Sequence, residues 1–98
     1  MTHDLIVRPE AEAELAEAYA WYEARTQGLG DDFLLSIDAA FHAIVRNHKH
    51  YPVILKTARR ALLHRFPYAV FVVADDNHIT VLAVFHAKRD PQRWKQRR

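Results

Sequence analysis

Hydrophobic positions along the chain change their period once, near Ala58. Before that point they recur at helical spacing. After it they run in short β-branched and aromatic blocks. The first apolar stretch, Leu5 to Val7, is closed by Pro9, and it predicts a strand over roughly His3 to Arg8. Pro9 suits the first turn of a helix, where a missing N–H leaves no hydrogen bond unmade. Glu10, Glu12 and Glu14 follow, and acids favour a helix N-terminus. The predicted helix runs to about Thr26, with Leu15, Ala18, Tyr19 and Tyr22 as its buried stripe. Trp21 falls off that stripe, so it either covers the helix pair or stands exposed for a partner.

Gln27-Gly28-Leu29-Gly30 breaks the pattern. Asp31 and Asp32 open a second helix reaching about Asn47, with Phe33, Ile37, Ala40, Phe41 and Ile44 on its apolar side. So short a connection predicts an antiparallel helix hairpin. Three strands are expected next. They lie around Ala61-Leu62-Leu63, over Tyr68 to Ala74, and over Ile79 to Ala87. Phe66-Pro67 and Asp75-Asp76-Asn77 mark the turns between them. The last run is apolar on both parities, as in a central strand covered on both faces. The expected fold is α+β: an N-terminal strand added at the sheet edge, and a two-helix hairpin packed on an antiparallel sheet with a three-stranded C-terminal meander. The 98 residues suffice for one domain, residues 1–98.

Charge sharpens this picture. Between Met1 and Leu35 eight acids face two arginines, a net −6. Between Lys56 and Arg98 ten bases face three aspartates, a net +7. Such a split suits an anionic partner, nucleic acid or acidic protein, unless the two halves neutralise each other in the fold. With no cysteine, disulfides, thiolate metal sites and cysteine nucleophiles are all excluded. No apolar run nears the roughly 18 residues that span a bilayer. The start lacks the order of a signal peptide, so a cytoplasmic protein is expected.

Three basic groups carry the candidate chemistry. They are Lys56, Arg59, Arg60, His64 and Arg65; then His86, Lys88 and Arg89; then the tail residues Arg93, Trp94, Lys95, Arg97 and Arg98. Arginine forks suit phosphate or carboxylate, and Trp94 suits stacking on a base or anchoring a protein contact. His64 and His86 are either general acid–base groups beside arginine, as in a metal-free ribonuclease, or strand-end histidines in structural hydrogen bonds. No glutamate follows Glu23, so no glutamate base serves the sheet. The His48-x-His50 pair has no third ligand close by, and neither a metal nor another cofactor is expected. Ser36, the sole serine, lies within a predicted helix, and no glycine-rich phosphate loop is present.

Two segments resemble the strand signatures of the ParE/RelE superfamily of bacterial toxins. One is Arg59 to Phe71, containing Phe66-Pro67-Tyr68. The other is Ile79 to Pro91, containing His86-Ala87-Lys88-Arg89-Asp90-Pro91, followed by Trp94. Trp21-Tyr22 and Gly28 to Phe33 are similar to the helix hairpin of the same family. The resemblance implies the toxin of a type II toxin–antitoxin pair, neutralised by a small antitoxin usually encoded beside it. Its helix hairpin, with Trp21, Tyr22 and Phe33, is the expected antitoxin surface. RelE-like members cleave mRNA on the ribosome, and here Arg60, His64, His86 and Lys88 would be the nuclease set. ParE-like members poison DNA gyrase by protein contact, through Arg89, Arg93, Trp94, Lys95, Arg97 and Arg98 as carried here. Trp94 where nuclease members often place tyrosine, Ala87 after His86, and the missing glutamate favour the ParE-like branch. A third expectation is a non-toxic module that only binds antitoxin.

Overall fold

The computed structural model describes residues 4–88. Strand β1 (Asp4–Val7) leads into helix α1 (Pro9–Arg25), which turns directly into helix α2 (Leu29–Asn47). A single 3-10 turn at His48–His50 precedes β2 (Val53–Leu55), β3 (Ala58–Leu62), β4 (Tyr68–Ala74) and β5 (His78–His86). The sheet order is β1-β5-β4-β3-β2, with β1 parallel to β5 and every other pair antiparallel. The α+β class, the edge position of the first strand and the helix hairpin match the sequence reading. The meander carries one strand more than expected. Val53-Ile54-Leu55 is short and follows Pro52, and its turn into β3 uses Lys56 at φ 51 in place of a glycine or asparagine. The usual hairpin signal is therefore absent from the sequence. Among the described residues no helix is long and apolar enough to cross a membrane.

The helices cover one face of the sheet. Ala11, Ala18 and Tyr22 of α1 and Phe33, Ile37 and Ile44 of α2 meet Ala61, Val70, Val72, Ile79, Val81 and Val84. Tyr22, Phe33, Phe66 and Tyr68 form an aromatic knot at one end, with Tyr22–Phe66 centroids at 4.9 Å and Phe33–Tyr68 at 5.2 Å. Such ring pairs add to plain area burial. Burying a side chain of this size is worth roughly 1.5–3 kcal/mol. The opposite face has its own cluster of Ala58, Ala69, Phe71, Leu82, Ala83 and Phe85.

A β-bulge explains why β5 is apolar on both parities. Phe71 pairs with Ala83 but Val72 pairs with Val81, so Leu82 is the extra residue. Val81 and Val84 consequently both face the helices, while Leu82 and Ala83 both face away.

Candidate interaction site

The site begins where β1 ends. Its last pair with β5 is Val7 with Val81, and the Arg8 amide then donates to the Val81 carbonyl at 3.1 Å. Pro9 starts α1 at once and turns the chain off the sheet. Beyond Val81, no described strand pairs with this side of β5. The Ala87 amide donates to Pro67 at 2.7 Å, towards β4. By alternation Val84 and His86 aim their backbone groups at the open side. Open strand edges invite pairing with another chain unless something covers them. Here Glu14 of α1 does so: its Oε1 accepts the Val84 amide hydrogen at 2.9 Å.

Between α1 and this edge lies a groove of about 750 Å³. Its aromatic walls are Trp21, Tyr22, Tyr68 and His86, with the Tyr68 and His86 rings 5.7 Å apart. Glu14 and Glu17 line the helix side, Val84 the floor, and Lys88 the strand end. Trp21 is 51% exposed and carries the Arg25 guanidinium 3.8 Å from its ring centroid. Its place is therefore on the surface and not over the helix pair. Burial first, and the neighbouring Tyr68 second, raise the Tyr22 phenol above its usual 10.0.

The predicted site residues divide. Trp21 and Tyr22 both reach the groove, Tyr22 as a nearly buried wall. Phe33 is fully buried in the aromatic knot, so it cannot touch a partner directly and is corrected to a core residue. The proposed nuclease set is not assembled. Arg60 sits opposite Phe71, with the parity of Ala58, on the face away from the helices. His64 lines a small second groove with Ser36, Ala39, Ala40 and Ala43 of α2. His86 and Lys88 belong to the α1 groove. Arg59 is spent on structure, donating to the Tyr51 carbonyl at 2.6 Å. His48 and His50 lie in the 3-10 turn, and among the described residues no three potential ligands come together to hold a metal ion. Arg89, Arg93, Trp94, Lys95, Arg97 and Arg98 lie outside the described residues. Glu14, Glu17 and Tyr68 were not anticipated. Glu14 read as an ordinary acid of an early helix turn, and its partner is 70 residues away.

Two helices on one face of a mixed five-stranded sheet, with a groove where the edge strand stops short, match the architecture expected of a small ParE/RelE-type toxin. The sequence agrees: residues 5–91 match the model of the ParE toxin of the type II toxin–antitoxin system, parDE. The chain belongs to that family. Among solved structures, the chromosomal ParDE toxin–antitoxin system from P. aeruginosa includes a similar chain, with a TM-score of 0.75 and 17% identity over 87% of this chain and 96% of that one. At that identity the likeness is one of fold. No curated protein matches the sequence.

Proposed function

We propose that this protein is a toxin that inhibits DNA gyrase by protein–protein contact in the cytoplasm and is neutralised by a cognate small antitoxin. The observation carrying the choice of target is the dispersal of Arg60, His64 and the His86–Lys88 pair over three separate surfaces. Phosphodiester cleavage without a metal needs its proton-transfer and charge-stabilising groups around one scissile phosphate, within hydrogen-bond reach. Inhibition by contact has no such requirement. The basic tail from Arg89 onward, with Trp94, is the assigned gyrase contact, because aromatic and arginine side chains dominate interface energetics.

The test is induced expression without antitoxin, with thymidine and methionine incorporation followed separately. Early loss of thymidine incorporation while translation continues supports gyrase as target. Early loss of methionine incorporation transfers the assignment to ribosome-dependent mRNA cleavage. Loss of neither leaves an antitoxin-binding module. Truncation after Asp90 should abolish growth arrest and spare antitoxin binding; continued arrest by the truncated chain rejects the tail as the contact.

A further inference from the structure

We infer that the open edge of β5 at Val84–His86 is the seat for one extended segment of the antitoxin, which enters as a sixth strand and displaces the Glu14 carboxylate from the Val84 amide. The inference rests on the antitoxin reading above.

Three features carry it. The edge is shaped for a strand. β1 already occupies its first half, pairing from Asp4 with His78 to Val7 with Val81, and its second half is left to a side chain. A carboxylate oxygen 2.9 Å from an edge amide supplies the hydrogen bond that a neighbouring strand's carbonyl would supply. Glu14 thus keeps the edge satisfied while leaving it exchangeable, as a covered edge restrains unwanted pairing.

The room is sufficient. The groove of about 750 Å³ runs from Glu14 past Trp21 to Lys88. A strand laid there sets alternate side chains against the aromatic wall, the mode in which backbone bonds hold a peptide and pockets select it.

The charge is divided along the groove. Glu14 and Glu17 stand on the helix wall, His86 and Lys88 on the strand wall. Glu17 and Trp21 lie one helical turn apart, so a base on the incoming segment meets a carboxylate and an indole face together. An acid on the same segment meets Lys88. The occupant is a polar-edged peptide with bases towards the helix and acids towards the strand end.

The test titrates this chain and its variants with the antitoxin encoded beside its gene. Replacing Glu14 with alanine removes the group that the strand must displace. Antitoxin affinity should therefore rise, by about five- to tenfold if one hydrogen bond is no longer broken on binding. Glu14→Gln retains an acceptor and should bind within about twofold of wild type, on the same one-bond reasoning. The charge reversals Glu17→Lys and Lys88→Glu should each weaken binding several-fold, while Ala43→Arg in the second groove should leave it unchanged. In the wild-type complex, amide exchange should slow at His86 while Val84 stays protected. Should Glu14→Ala not fold, the exchange pattern and the two reversals decide. Unchanged or weaker binding by folded Glu14→Ala, or an unaltered His86 amide, overturns the strand. If wild-type protein binds no antitoxin, the reading it rests on falls too.

Discussion

Glu23 holds Gly30 across the bend between the two helices. Its Oε1 accepts the Gly30 amide hydrogen at 2.9 Å, and its Oε2 accepts that of Gly28 at the same distance. The first amides of a helix lack partners within it, and residues such as serine or aspartate commonly cap them. The N-cap of α2 is Gly28, which has no side chain to offer. The preceding helix therefore provides the cap, and places negative charge at the positive end of α2. Glu23→Ala should cost about 1–2 kcal/mol, the usual value of a lost cap. Urea unfolding measures it; a loss below about half a kcal/mol would mean water replaces the carboxylate.

Gly30 answers to space. A Cβ there would lie 2.7 Å from Tyr19 Cε2 and 2.9 Å from Glu23 Oε1. Gly30→Ala must push both aside and loosen the cap, so a loss of about 1–3 kcal/mol is expected. Gly28→Ala meets open space but must hold φ +88. Its cost should be smaller, about 1 kcal/mol, and arise from backbone strain. Equal thermal shifts in the two variants would refute that division.

The parts of this protein that depend on neighbours in sequence were legible, and those that depend on distant partners were not. Phe33, Ile37 and Ile44 repeat at helical spacing, and all three are buried. Gly28 and Gly30 marked the helix turn because few other residues tolerate it. The strand at Val53–Leu55 stayed hidden because three residues show no period and Lys56 takes a conformation expected of glycine. Arg60 and His86 look like companions in a list of basic residues. Strand parity separates them, since β3 turns Arg60 away from the helices while β5 turns His86 towards them. The groove depends on where β1 stops, which no local pattern states.

Phe33 and Trp21 separate stability from contact. Phe33 is fully enclosed by Tyr22, Phe66 and Tyr68. Phe33→Ala should cost about 3–5 kcal/mol, a large share of a small domain's stability. Trp21 is half exposed, and Trp21→Ala should change stability by less than about 1 kcal/mol. Antitoxin binding should fall in the folded Trp21 variant. Thermal melts alongside titration check both, and a severe melting loss in Trp21→Ala would place it in the core after all.

Tyr22 sets the alkaline limit. Its phenol is raised above 10.0 by burial and by Tyr68, whereas the unfolded chain ionises near the usual value. The neutral form thus favours the fold. That contribution is complete below pH about 10 and is lost as the pH climbs from the unfolded value through the folded one. Tyr22→Phe has no proton to lose, so its stability should fall less steeply above pH 10. Parallel alkaline limbs for the two proteins would reject the assignment.

Arg60 distinguishes the two branches of the superfamily most directly. Its Nε is buried without a hydrogen-bond partner among the described residues, on the sheet face away from the helices. An unsatisfied buried donor carries its full desolvation cost. Methionine preserves the stem's apolar packing and deletes that donor. Arg60→Met should therefore fold with unchanged or slightly higher stability, by up to about 1 kcal/mol. If gyrase is the target and the contact is the tail, this variant should arrest growth as wild type does. A folded Arg60→Met protein that no longer arrests growth would make the arginine part of the toxic surface. Loss of mRNA cleavage in the same strain would then identify the nuclease branch.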